Sequence, residues 1–207
     1  VNRFLRIAQL AHAPAYVVHL STAQGLEEAR RARARGQKVF LETCPQYLLL
    51  TDQRYQDEDG AKYVMSPPLR KSWDNEALWQ GLAEGEIDTL GTDHCSFTMA
   101  QKALGKDDFS KIPNGAPGVQ HRGQLIYTYG VCEGRLSLSA WWPCLAQTRP
   151  GSSACPIAAR SPRVRRRICW YGIPATQGAL RIRITHIIVI TPLMRDWPCR
   201  AGRGTCW

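Results

Sequence analysis

The feature that most constrains this chain is an alternation. Short apolar, β-branched segments take turns with helical ones from residue 15 to residue 92. Residues 15–20, Ala15-Tyr16-Val17-Val18-His19-Leu20, read as a buried strand. Residues 39–43 form a second such segment and residues 88–92 a third. Between the first two, residues 23–35 are helical, with Ser21 or Thr22 placed to cap the start and Gly36 to end it. Residues 75–83 form an amphipathic helix closed near Gly85, and Pro67-Pro68 stops the segment before it. Residues 1–12 place Phe4, Leu5, Ile7, Ala8 and Ala11 at helical spacing. Strand, helix and strand in this rhythm imply parallel βα units, hence an α/β fold.

In such folds, chemistry sits where strands end and loops begin. The polar residues at those ends are His19, Glu42-Thr43-Cys44 and Thr92-Asp93-His94. A histidine after a strand also serves as a structural residue, and an aspartate there also serves as a helix cap. His19 and Asp93 at equivalent strand ends make a metal site a candidate, and spacing alone leaves both readings open.

Charge separates the chain into two parts. The net charge is +10, from 27 Lys+Arg and 17 Asp+Glu. Residues 1–140 hold 16 of each sign, so the excess lies wholly after Ala140, where 11 arginines face the single acid Asp196. Cys144, Cys155, Cys169, Cys199 and Cys206 also fall in this last third, at spacings that match no paired-cysteine zinc motif. No run of 18 apolar residues suggests a membrane span, and no secretory signal opens the chain, so a cytoplasmic location is expected. The chain begins without Met, inside a helical pattern, as a fragment would.

Six strings are more specific than the alternation. They are Tyr16-Val17-Val18-His19-Leu20-Ser21, Glu42-Thr43-Cys44-Pro45-Gln46-Tyr47-Leu48, and Lys62-Tyr63-Val64-Met65-Ser66-Pro67-Pro68-Leu69-Arg70. Thr92-Asp93-His94-Cys95 follows, then Gly105-Lys106-Asp107-Asp108-Phe109 with Lys111-Ile112-Pro113-Asn114-Gly115, and finally Gly134-Arg135-Leu136-Ser137-Leu138. In this order they resemble the dihydropyrimidinase/D-hydantoinase family of cyclic amidohydrolases. The resemblance implies the C-terminal half of a (β/α)8 TIM-type metallo-dependent hydrolase barrel over residues 1–138, followed by an irregular tail over 139–207.

The resemblance also implies a binuclear Zn2+ centre that opens a dihydropyrimidine or hydantoin ring to an N-carbamoyl amino acid. Two zinc ions lower the pKa of a bridging water, and the resulting hydroxide attacks the ring amide carbonyl. Transferred residue by residue, His19 binds one metal, while Asp93 binds the other and moves the proton. Ser66 and Asn114 hold the ring, largely through backbone groups. The family's His-x-His pair, its carboxylated lysine and a further histidine ligand have no counterpart here, so the chain alone is expected to be inactive. Ser96 stands where relatives usually have Pro.

Plainer roles stand beside these. Ser66 before Pro67 is an ordinary extended residue, and Asn114-Gly115 is a turn signal. Cys44 and Cys95 read as buried small hydrophobes, His94 as structural, and Arg30, Arg31, Arg33 and Arg35 as a solvated helix face. Allantoinase and dihydroorotase share the barrel and metals and are the alternative enzymes. A non-catalytic scaffold of the same fold is another reading, which retention of His19 and Asp93 opposes. Intact relatives of the family are usually tetramers.

After about Ser139 the resemblance stops where the composition shifts. The tail reads as an out-of-frame translation of the family's own C-terminal segment. With permitted codons and a one-nucleotide shift, residues 149–162 become PARLFGLPHRGKIA and residues 168–174 become DLLVWDP. A strand-like run covers residues 187–191, and four arginines surround Val164. A basic tail can bind nucleic acid through phosphates, but a frame slip explains the same residues, so no nucleic-acid partner is expected.

Overall fold

The computed structural model describes residues 1–146. The expected irregular tail, set to begin at Ser139, is helical over residues 139–146, where Trp141 and Cys144 are buried in the core; the rest of it, including its strand-like run at 187–191, lies outside the described residues.

Helix α1 (Asn2–Leu10) leads through a turn at His12 into strand β1 (Ala15–Val17). Helix α2 (Ala23–Ala34) returns the chain to β2 (Val39–Thr43), which runs into the short helix α3 (Pro45–Leu49). Two 3-10 turns precede α4 (Ser72–Ala83), and β3 (Thr89–Leu90) follows. Helices α5 (Met99–Ala103), α6 (Arg122–Ile126) and α7 (Leu138–Ala146) complete the described part, with a π-helical stretch, Tyr127–Cys132, continuing α6.

The three strands form one parallel sheet in the order β1-β2-β3. Ala15 lies opposite Val39 and Val17 opposite Leu41, while Glu42 lies opposite Thr89. The α/β reading with parallel strands is therefore correct. Two strands are shorter than expected. β1 ends at Val17 because His19 turns into the left-handed region at φ +40°. β3 spans two residues, although Asp88 N–H to Leu41 O (2.9 Å) and Gly91 N–H to Thr43 O (2.8 Å) continue its contact with β2.

Side chains alternate across the sheet, as the pleat requires. Ala15, Val17, Val39, Leu41, Thr43 and Leu90 are buried, joining Leu26, Ala29, Leu78 and Leu82 from α2 and α4 in the core. Tyr16, Phe40, Glu42 and Thr89 occupy the opposite, half-buried face. There the Tyr16 hydroxyl donates to Glu42 Oε2 at 2.7 Å and stands 2.7 Å from Thr89 Oγ1, so one polar contact spans all three strands.

Helix ends are capped as the sequence suggests. Thr22 Oγ1 accepts from Gly25 N–H at 3.0 Å, and Gly36 follows α2 at φ +81°. Asp74 Oδ1, on α4, accepts from Ala23 N–H at 2.8 Å and so locks the start of α2 to α4.

Two expectations need correction. The apolar stripe of α1 is wider than the surface it covers: Leu5 and Ala8 are buried, but Phe4, Ile7 and Leu10 are exposed. Arg33 is not part of a solvated face. It reaches Val39 O at the start of the central strand (2.8 Å) and pairs with the buried Asp88 (2.7 Å), which also accepts from Leu41 N–H at 2.9 Å. Arg31 does sit in exposed pairs with Glu27 and Glu28, whereas Arg30 makes a two-pronged, part-buried pair with Glu86 at 2.8 and 2.7 Å.

Candidate active site

The C-terminal ends of the strands gather the residues that the sequence singles out. His19 follows β1, Cys44 follows β2 and Asp93 follows β3. His19 and Asp93 both adopt left-handed backbone, at φ +40° and +48°. Non-glycine residues are uncommon there, and such strain clusters at functional sites. No sequence pattern announces it. His19 and Asp93 flank β2 on opposite sides, since β2 is the central strand.

Three loops converge beside Asp93. The loop after β3 pairs with the Asn114 loop through a parallel bridge, His94 to Ala116, in which Cys95 N–H donates to Ala116 O at 3.0 Å. Gly115 makes this approach feasible. Its φ is +143°, and a Cβ there would lie 2.6 Å from both Cys95 Cβ and Cys95 O. Gly115 N–H also donates to Val64 O at 3.1 Å, which brings in the Ser66 loop. Ser66 then donates its hydroxyl to Asn114 Oδ1 at 3.1 Å. The two residues expected to hold the ring are thus in contact, across 48 positions of sequence.

Supports from outside these loops set their shape. Tyr47 donates to Pro67 O at 2.8 Å, and Leu69 N–H donates to the Tyr55 hydroxyl at 2.7 Å, so two tyrosines hold the segment after Ser66, whose bond to Pro67 is cis. Gln46 Nε2 donates to Thr92 O at 3.3 Å, just before Asp93, and Arg122 donates to Leu90 O at 2.9 Å. Asn75 donates to Tyr47 O and Leu50 O, and Trp79 to Leu48 O, which satisfies carbonyls at the end of α3. Sequence reading missed Gln46, Arg122 and Gly115 as positioning residues. Gln46 lies within one of the six strings, but nothing local distinguishes its role.

The cysteines divide. Cys44 is fully buried, and burial, with Glu42 and Asp93 nearby, pushes its thiol pKa well up. Cys95 is exposed, which corrects the expectation that it is buried. It lies on the loop after β3, whose backbone is engaged by Ala116, with its side chain running past Gly115. His94 has a structural contact, its Nδ1 accepting from Gly118 N–H at 3.1 Å.

A zinc site has to be judged on donors. Catalytic zinc generally takes three protein ligands. His19 and Asp93 offer two, and no group of three or more His, Cys, Asp or Glu able to hold a metal occurs among the described residues. The described residues do not by themselves fit a binuclear centre. No helix among them is long and apolar enough to cross a membrane.

No protein-family model matches the chain. A D-phenylhydantoinase of Escherichia coli O1:K1 / APEC is 51% identical over 140 residues, which cover 67% of this chain and 30% of that protein. The crystal structure of dihydropyrimidinase from Brevibacillus agri NCHU1002 superposes with a TM-score of 0.67 at 43% identity, over 69% of this chain and 32% of that one. Dihydroorotase from Saccharomyces cerevisiae, in complex with 5-fluoroorotic acid, shares the fold at a TM-score of 0.57 and 14% identity, over 70% of this chain and 40% of that one. The chain spans about 30% of the length of the curated relatives it matches first. Over the length it shares with them, the chain belongs to the dihydropyrimidinase/D-hydantoinase family.

Proposed function

We propose that residues 1–138 correspond to the C-terminal half of a (β/α)8 barrel that hydrolyses a cyclic amide, a dihydropyrimidine or a hydantoin. The observation that carries this reading is the Ser66–Asn114 contact at 3.1 Å, made by loops that close on the segment next to Asp93. A planar imide ring offers alternating N–H and C=O groups, which paired backbone donors and acceptors suit. In this reading the Asp93 carboxylate takes the proton of the attacking water and delivers it to the leaving ring nitrogen. The Lys62–Arg70 string favours dihydropyrimidinase over allantoinase or dihydroorotase.

His19 and Asp93 are two ligands of the zinc centre in this reading. The family's other ligands have no counterpart in this sequence, so in this reading the chain on its own does not turn over substrate. A cytoplasmic location goes with this reading. The tail after Ser139 is an out-of-frame translation, which the coding DNA near that position tests: an intact frame relative to full-length relatives overturns it.

Ring binding is separable from turnover and tests the site directly. Dihydrouracil or hydantoin, followed by ligand-observed NMR, is expected to bind saturably and to bind more weakly in Asn114→Ala, which keeps the backbone groups but removes the acceptor of the Ser66 hydroxyl. Ring signals no different from those with an unrelated protein overturn the reading.

A further inference from the structure

Lys102, on α5, is a buried cation with an unusual set of partners. Its side chain is almost wholly enclosed, and it forms no ion pair with a carboxylate among the described residues. Its ammonium donates to three backbone carbonyls: Val64 O at 2.7 Å, Gly115 O at 2.9 Å, and Pro113 O. An ammonium has three protons, so its donor capacity is filled. The ring of Phe97, 5.4 Å away, covers it. Burial lowers its pKa from the usual lysine value, which is the cost of enclosing a charge without a counter-ion.

The placement of these carbonyls is what matters. Val64 lies two residues before Ser66, and Pro113 and Gly115 stand on either side of Asn114. One ammonium therefore ties together the two loops whose tips are in contact. A carbonyl that accepts from a cation also polarises its own peptide unit. The unit between Pro113 and Asn114 ends in the Asn114 N–H. A structural lysine could have bridged any two segments; this one joins the two that the ring-binding reading requires.

We propose that Lys102 is a positioning residue for the cyclic amide, setting the spacing and polarity of the Ser66 and Asn114 backbone without touching the ring. This rests on the reading of those loops as the ring-binding site. It makes α5 part of the substrate machinery, although α5 contains none of the six family-like strings.

The test uses the full chain, Lys102→Met and Lys102→Gln, with dihydrouracil as the probe and amide hydrogen exchange as a second readout. In Lys102→Met, dihydrouracil should bind at least about tenfold more weakly, as expected for loss of charged hydrogen bonds. Exchange should quicken at the Gly115 and Cys95 amides, while Val17 and Leu41 in the sheet keep their protection. Lys102→Gln, which retains a donor, should fall between. Ring affinity within about twofold of the parent with unchanged loop exchange would overturn the proposal. Uniform loss of protection in loops and strands would also overturn it, by showing a purely structural role. If the parent chain binds no ring, the reading of the site fails, and the exchange pattern alone decides whether Lys102 ties the loops.

Discussion

Gly91 has no side chain at the point where the Glu42 carboxylate passes. A Cβ there would stand 2.5 Å from Glu42 Oε1 and 2.7 Å from its Cδ. Glu42 in turn accepts from the Tyr16 hydroxyl at 2.7 Å, so the glycine at the end of β3 protects a contact that starts on β1. Gly91→Ala is expected to push Glu42 aside and cost about 1–2 kcal/mol. Adding Glu42→Ala should remove most of that cost. Urea unfolding of the two single variants and the double variant checks this, and strict additivity would contradict it.

The same contact has a pH signature. Burial, reinforced by the hydrogen bond and charge of Glu42, pushes the Tyr16 phenol from 10.0 up to about 12. A folded pKa above the unfolded one means that the native state holds the proton longer. The associated stability is present below pH 10 and is lost as pH rises from about 10 through about 12. Absorbance at 295 nm should show a phenol titrating near pH 12 in the parent chain and missing from Tyr16→Phe. In Gly91→Ala that midpoint should move down toward 10.

Asp88 is buried, pairs with Arg33 at 2.7 Å and accepts from the Leu41 amide at 2.9 Å. Asp88→Ala leaves a strand amide without its acceptor and a half-buried guanidinium, still bonded to Val39 O and Glu86 O, without its counter-ion. The expected loss is about 3 kcal/mol, read as a shift of the urea midpoint with unchanged slope. Glu27→Ala, which touches only exposed arginines, should change stability by less than about 0.5 kcal/mol.

Thiol chemistry should follow burial. Cys95 and Cys132 are exposed, whereas Cys44 and Cys144 are buried, and the Cys44 thiolate is strongly disfavoured. Peptide mapping after brief maleimide treatment of the native chain should show label at Cys95. Label should reach Cys44 only after denaturation. Fast native labelling of Cys44 would contradict the packing at the end of β2.

Much of the fold was legible because strand and helix periods differ. Residues 39–43 alternate buried and half-buried and form β2 with the expected bounds, and Thr22 and Gly36 bracket α2 as their chemistry demands. Arg33 was misread because a helical wheel shows only which face a residue occupies. It does not show that a long side chain can reach Asp88, 55 positions away. Of the candidate site, the sequence offered Ser66 and Asn114 through the family-like strings, but not their contact with each other across 48 positions. Lys102 was invisible because its partners are backbone carbonyls, which leave no trace in sequence. The left-handed backbone at His19 and Asp93 was hidden for a similar reason, since neither residue is a glycine.

One sample can test the central claim, that the described residues hold a ring-binding half-site and two metal donors but no complete zinc centre. The purified chain is incubated with zinc and hydantoin or dihydrouracil, then assayed for bound metal, bound ring and N-carbamoyl product. The account predicts saturable ring binding, zinc well below two per chain, and no product. Two tightly held zinc ions with ring opening would contradict it, and would mean that the chain completes its metal centre with residues this structure does not describe.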